Sequence, residues 1–448
     1  MAIRVPQCSE IEAFQLLGQL NGILDRDPLI DEVGFIHPSQ LMMLNEGDDG
    51  AILSSREHEI NARLGPEATA VEGKNAFFWN REHKLGISTE YLLPLYKAAK
   101  HRFMDAYATC KRHSSFSLKN ENAASIHVFS EIEVEVMKHS KALLLLSSDF
   151  GTAWNARKLI ISKRDDFPIT DELLLSTLVL SFAPKSESAW NYRRWVIKRI
   201  AGRCPTLEVI LEKESDLVRK IAEKSKMNYR AWNHRCWLIS YMTKEQALHE
   251  LNINKHWAAL NVSDNSCFHY RRKLMLSMLG DVSDGKIVVT CVDKLESLQQ
   301  LWKDELEWNE RLIRRYIGRE ALWLHRRFLS VFWVKHFGAD QHGISRLANE
   351  KGDGDEHLSI FINNEIGFLR DCLSLPDSIF DDVQSQAIHS AAYILWLNRE
   401  ILSPSSIDFN EKLGVDDPRT LLNKLCPEKI KVWDCLLCNH RVEGNRFV

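Results

Sequence analysis

A tryptophan followed three residues later by an arginine recurs along this chain, and that recurrence limits the fold more than any other feature. "AWNARKLI" begins at Ala153, "AWNYRRWVI" at Ala189 and "AWNHRCWLI" at Ala231; looser copies, "CFHYRRKLM" and "LWLHRRFLS", begin at Cys267 and Leu322. The aromatic anchors are Trp154, Trp190, Trp232, Phe268 and Trp323, spaced by 36, 42, 36 and 55 residues. Their arginines are Arg157, Arg193, Arg235, Arg271 and Arg326. Six of the 13 tryptophans (Trp154, Trp190, Trp195, Trp232, Trp237 and Trp323) fall inside the copies, so the pattern is not a by-product of composition. Near-regular self-similarity on this scale marks stacked supersecondary units, each too small to bury its apolar face alone.

Each copy reads as the second helix of a pair. The stretches before them, such as "DELLLSTLVLSF" and "EVILEKESDLVRKIAEKS", are apolar at helical period and supply the first helices. Pro184 closes one first helix, and Ser186, Asn228 and Asp264 stand four residues before an anchor, where an N-cap accepts backbone N–H groups. The expected class is all-α: a right-handed superhelical solenoid of helical hairpins. On a helical wheel Arg193 lies roughly 60° from Trp190, and Trp195 roughly 140° away. That spacing predicts a second helix buried on both sides, with Trp195 and Trp237 tying each repeat to a neighbour. The arginine beside the anchor needs a partner once buried, and Glu187 and Asp264 are candidates.

Composition narrows the class. Of 448 residues, 45% are hydrophobic and 27% charged, which suits a large folded core. A net charge of −3 argues against a broad phosphate-reading face, so no nucleic-acid partner is expected. There is no apolar leader and no run of 18 uncharged apolar residues, so neither a secretory signal nor a membrane span is expected. The terminal "NRFV" is not a prenylation box. The ten cysteines are scattered and read as reduced thiols in a cytoplasmic protein. Cys435, Cys438 and His440, with Cys426 upstream, have zinc-compatible C-x-x-C spacing, but two leucines fill the turn and no second half follows. A helical tail with buried thiols is the simpler reading, and no metal site is assigned. The acidic "GDGDE" at 352–356 lacks spaced calcium ligands and reads as solvated linker. The resulting boundaries are an N-terminal segment, 1–76, with an insertion at 41–76; N-terminal helices and a loop, 77–126; five hairpin repeats, 127–335; an insertion loop, 336–357; and C-terminal helices and tail, 358–448.

The third copy with its leader, "NYRAWNHRCW" from Asn228, resembles the repeat of protein prenyltransferase alpha subunits, with its Asn-Tyr-x-x-Trp-x-x-Arg pattern. The likeness spans about 200 residues and five copies. The flanks "DPLIDEVGFI" and "EHKLGISTEYLLPLY" resemble the third, repeat-containing branch of that family. The resemblance implies a crescent of helical hairpins cupping a beta subunit. It implies transfer of an isoprenoid from its diphosphate to a C-terminal cysteine of an acceptor protein. Zinc and the isoprenoid pocket would then belong to the beta subunit, a Rab-type one for this branch, with geranylgeranyl diphosphate as co-substrate.

The same resemblance assigns site residues. Asn228 and Tyr229 would line the subunit junction near the isoprenoid site, with His234 and Arg235 candidates beside them. Farnesyl-type alpha subunits carry a lysine just before this "NY"; here Met227 stands there and Lys226 precedes it. Lys226 is therefore the one candidate contact to the diphosphate. Trp154, Arg157, Trp190, Arg193, Trp195, Trp232, Trp237, Phe268, Arg271, Trp323 and Arg326 are expected to be structural. The competing expectation is a non-enzymatic scaffold for protein–protein contacts; tetratricopeptide arrays do this with a shorter, regular period and small residues at helix crossings.

Overall fold

The computed structural model describes residues 9–46, 77–117, 131–163, 169–201, 207–279, 282–283, 286–287, 292–337, 353–373 and 381–401, with isolated positions beyond 419. It divides into two units, Met1–His234 and Arg235–Val448. The fold class is all-α, built from helical hairpins. The first unit opens with α1 (Glu10–Arg26), whose Ser9 and Glu12 form a reciprocal capping box. Strand β1 (Glu32–Ile36), α2 (Pro38–Glu46), and strands β2 (Phe78–Arg81) and β3 (Lys84–Ser88) follow. They make a small sheet of order β1-β3-β2, with β1 parallel and β2 antiparallel to β3. Alternation in "PLIDEVGFI" suggests the extended piece; the β2–β3 hairpin is not legible in the sequence. Its two-residue turn is Glu82-His83, both at positive φ, where Asn-Gly is the usual signal. His83 is held there by Asp27, 2.9 Å from its Nδ1.

Hairpins then take over: α3 (Leu92–Ser117), α4 (Glu131–Leu146), α5 (Gly151–Ser162), α6 (Ile169–Phe182), α7 (Glu187–Ile200), α8 (Leu207–Lys224) and α9 (Tyr229–Leu238). The sheet rests on α6, where Ser181 Oγ accepts the Val33 N–H at 3.2 Å and Phe35 meets Phe182 edge-on. The second unit continues with α10 (Lys244–Leu260), α11 (Asn265–Met278), α12 (Val292–Arg315), α13 (Glu320–His336), α14 (Asp353–Leu373) and α15 (Asp381–Ile401). Ser186, Asn228 and Asp264 accept the expected cap hydrogen bonds, from Ala189, Ala231 and Cys267. The Trp154 and Trp190 indoles donate to carbonyls six residues back, Ser148 and Pro184, which fastens each second helix to the turn before it.

Three boundaries move. The insertion expected from 41 shares its first residues with α2. Both ends of the loop expected over 336–357 are helical, because α13 reaches His336 and α14 starts at Asp353. Four residues of the supposed acidic linker thus open a helix. Cys426, Cys435, Cys438 and His440 lie outside the described residues.

The second tryptophan of a copy is not the tie that the wheel suggests. Trp154, Trp190, Trp232, Trp323 and Phe268 are buried, whereas Trp195 and Trp237 are only half-buried. Trp195 lies against Tyr192 with Arg199 over its ring, and Trp237 against Tyr241. Truncation therefore has unequal effects. Trp190→Ala is expected to cost about 3–5 kcal/mol and Trp195→Ala about 1 kcal/mol, a difference readable in urea unfolding of the two variants.

Candidate functional site

The buried arginines find carboxylates that lie on neither of the expected residues. Arg157 clamps Glu172 with two hydrogen bonds, 2.9 and 2.5 Å. Arg193 grips Glu214 through Nε and Nη2 at 2.7 and 2.6 Å. Arg235 reaches Glu250 at 2.8 Å, Arg271 grips Glu305 at 2.9 and 2.7 Å, and Arg326 pairs with Glu365. In every case the glutamate sits on the first helix of the following hairpin. Glu187 instead pairs with half-buried Arg230 at 2.6 Å, and Asp264 is occupied by its cap.

The same glutamate is reached from a second side. The residue two after the anchor is Tyr192, His234, Tyr270 or His325, and each bonds the glutamate twenty residues upstream on the first helix of its own hairpin. The distances run from 2.5 to 2.9 Å: Tyr192–Glu172, His234–Glu214, Tyr270–Glu250 and His325–Glu305. Positions two and three after the anchor differ by about 100° around a helix. One second helix therefore points its Tyr or His at its own partner and its Arg at the next hairpin. The arginine also donates to a carbonyl of its own first helix, twenty residues back: Met137, Leu173, Leu251 and Leu306.

The device reveals a further hairpin. Tyr393 on α15 donates to Glu365 on α14 at 2.9 Å, so α14 and α15 repeat the arrangement. The register is not marked as elsewhere: Ala391 stands at the anchor position and Ile394 at the arginine position, and the Trp396 and Arg399 of α15 lie five residues further on. At the other end Ala156 and Val136 replace the polar pair, and the first copy contributes only its arginine.

Charge is arranged accordingly. Burial alone would raise the Glu214 pKa; the Arg193 charge and the His234 hydrogen bond outweigh it and bring the group down to about 2. Glu305 is likewise held well below the carboxylate range against its burial, by Arg271 and His325. Burial lowers His234 and His325, which stay neutral because the glutamates are already matched by arginine. Neutral His234 donates from Nε2 to Glu214 and accepts from Arg194 at Nδ1, 3.4 Å.

This geometry redraws the residues assigned to a subunit junction. His234 and Arg235 are buried inside the array and offer no surface to a partner. Asn228 is also buried; its amide donates to the Pro184 carbonyl at 2.7 Å while its oxygen caps α9. Tyr229 is exposed, as are Lys226 and Met227. Met227 adopts φ +54, a left-handed turn position, and Gly318 holds the equivalent place before Trp323 at φ +74. The left-handed residue reverses the chain between first and second helix and carries the side chain at 227 outward. The exposed set at the start of α9 is thus Lys226, Met227 and Tyr229, flanked by the Arg230–Glu187 pair.

These features define an all-helical hairpin-repeat protein whose repeats are locked by buried Arg–Glu–Tyr/His sets. A family model, the protein prenyltransferase alpha subunit repeat, matches residues 169–200, 211–242, 248–278 and 302–331, four of the hairpins above. Those four hairpins carry the likeness to that repeat. It is 32% identical over 242 residues to human protein prenyltransferase alpha subunit repeat-containing protein 1, covering 45% of this chain and 60% of that protein. The Danio rerio protein of the same name is 32% identical over 263 residues, covering 51% and 61%. The geranylgeranyl transferase type-2 subunit alpha of Saccharomyces cerevisiae is 26% identical over 176 residues, covering 37% and 53%. The chain thus spans about 60% of the length of the first two of these curated relatives. The solved Candida albicans protein geranylgeranyltransferase-I complexed with GGPP aligns over 71% of this chain and 94% of that one, at 14% identity and a TM-score of 0.31.

Two outcomes test the buried sets. Arg271→Ala leaves Glu305 buried with only His325 and should destabilise by about 3–5 kcal/mol, whereas replacing Arg271, Glu305 and His325 together by apolar residues of similar volume should recover most of the loss, both measured by urea unfolding. Acid sensitivity follows from the histidines. A histidine held neutral binds protons less well folded than unfolded, so stability falls as pH drops below about 6.5, and the glutamates add a second loss below about 4.5. Replacing His234 and His325 by tyrosine, the residue used at 192 and 270, should lessen the fall in melting temperature between about pH 7 and about pH 5.5. The lower-pH loss should remain.

Proposed function

We propose that this chain is the alpha subunit of a heterodimeric protein prenyltransferase that, with a Rab-type beta subunit, transfers geranylgeranyl groups to C-terminal cysteines of acceptor proteins. The observation that carries the reading is the four-hairpin match to the alpha-subunit repeat, together with the relatives of that name. Its motif residues Asn228, His234, Arg235 and the repeat arginines serve the packing, so the reacting groups are assigned to the partner. Zinc on that partner would supply a thiolate at neutral pH. Geranylgeranyl diphosphate is the co-substrate in this reading, and the cytoplasm the compartment. Among the described residues no helix is long and apolar enough to cross a membrane.

The part left to this chain is to dock and position the partner. Exposed Lys226, Met227 and Tyr229 at the start of α9 form the surface the resemblance brings nearest the diphosphate. Lys226 precedes a left-handed residue, and the resemblance implies that farnesyl-type alpha subunits place their lysine at that residue itself. The one-position shift changes the direction in which the ammonium leaves the turn.

Co-expression with each beta-type subunit, purification, and transfer of labelled geranylgeranyl and farnesyl groups to cysteine-tailed proteins test the proposal. A stable complex with the Rab-type subunit and geranylgeranyl transfer are expected; no complex with any beta subunit would leave the scaffold reading in its place. In the active complex Lys226→Ala is expected to keep turnover within about twofold. A loss of about tenfold or more, about 1.4 kcal/mol in the barrier, would instead assign Lys226 to the leaving diphosphate.

A further inference from the structure

The outward faces of α11, α13 and α15 enclose a cleft of about 390 Å³ in the second unit. Its floor is aromatic. Phe332 stacks on fully buried Trp302 with centroids 4.1 Å apart, and Phe328 lies 6.5 Å from Phe332. Trp396 of α15 is half-exposed on the opposite wall. The charge is of one sign: Arg272, Arg327 and Lys335 line the cleft beside His336, and no carboxylate does, among the described residues.

Local packing explains only part of this. Lys335 falls in the last turn of α13, where a cation suits the helix dipole. Arg272 sits two turns into α11, and its Nε donates to the Phe268 carbonyl at 3.3 Å. Burial lowers its pKa. Contrast Arg271 next to it, which is clamped by Glu305. The array thus matches each inward arginine with a glutamate and leaves this outward one to a backbone carbonyl.

We propose that the cleft is a docking site for an acidic segment of a partner protein. One large apolar side chain of that segment enters over Phe328 and Phe332 against Trp396, and its carboxylates meet Arg272, Arg327 and Lys335. Charge complementarity selects this occupant. A concave aromatic floor ringed by cations takes an apolar anchor with acidic flanks, whereas a bilayer needs a convex or flat apolar face and a nucleic acid a longer basic track. The volume suits one or two side chains, and the anchor–rim arrangement is that of a peptide hot spot. Peptide binding here is a property of the chain by itself and stands apart from the transferase reading.

The test uses the full chain and short fluorescent peptides followed by anisotropy. A phenylalanine flanked by aspartates and glutamates is the probe; its Phe→Ala form, its amide (Asn/Gln) form and vesicles rich in phosphatidylserine are the comparisons. The acidic aromatic peptide should bind, and both altered peptides should bind at least about tenfold more weakly. Arg272→Glu and the exposed Lys335→Glu should each weaken it by a similar factor, with unchanged helical circular dichroism and melting temperature. No binding, equal binding of the amide peptide, binding of vesicles instead, or no effect of Lys335→Glu would overturn the proposal. A photo-crosslinking residue at position 328 provides the remaining arm: adducts to the labelled peptide support the site, and adducts only to the chain's own C-terminal residues overturn it.

Discussion

The buried glutamate gripped from two sides is the interaction on which the hairpin stacking depends. A carboxylate in the core is costly unless it is paired and its lone pairs are filled. Glu214 meets both conditions through Arg193 and His234, and Glu305 through Arg271 and His325. The two partners come from consecutive second helices, so each glutamate is satisfied only when two hairpins are in register. Apolar contacts between helices tolerate sliding by a turn; a glutamate that must meet a guanidinium on one side and a Tyr or His on the other does not. Such sets are weak evidence for stability, since apolar replacements are often as stable, and stronger evidence for specifying one register.

This explains why half of the device can be read from the sequence and half cannot. Trp-x-x-Arg is four residues wide and rich in tryptophan, so it stands out at Trp154, Trp190, Trp232 and Trp323. The glutamates are single common residues in helices full of charge. Yet Glu172, Glu214, Glu250 and Glu305 each precede their anchor by 18 residues, although the anchors themselves are 36 to 55 apart. The hairpin is rigid and only the connection to the next one varies, so a search at fixed offset within the hairpin finds them. The hairpin of α14 and α15 escapes for the opposite reason. It keeps Glu365 and Tyr393 but has no tryptophan at the anchor position and no arginine three residues on from it, and no further hairpin among the described residues needs that arginine.

The candidate site changed more than the fold did. Asn228, His234 and Arg235 sit in a stretch that resembles a family motif, and resemblance alone places them by a partner's active site. Burial gives them separate structural roles. Asn228 caps a helix and bonds a neighbouring turn, His234 is a neutral imidazole under a glutamate, and Arg235 stacks its guanidinium 4.4 Å from the Tyr270 ring. Sequence could not separate these from surface roles, because polar residues in the core look like polar residues outside it until the partners are known. Tyr229 and Lys226, within two residues of Asn228, do face outward. The boundary between structural and functional chemistry therefore runs through the motif, not around it.

A repeat of this kind divides labour by direction. At two and three residues past the anchor the side chains point inward and, from the second copy on, are fixed by the need to satisfy a buried carboxylate, so those copies carry Tyr or His and then Arg. At four and five past it they point outward, and here the copies diverge: Lys158 and Leu159, Arg194 and Trp195, Cys236 and Trp237, Arg272 and Lys273, Arg327 and Phe328. Half-buried aromatics and cations recur at these places, but no two copies share a pair. Packing does not demand that variety, since an alanine or a lysine would serve a solvated helix face. The outward positions are where a common scaffold can acquire a particular partner without disturbing its register. A substitution such as Phe328→Ser should therefore alter what binds while leaving the Arg271–Glu305–His325 set, on the inner side, in place.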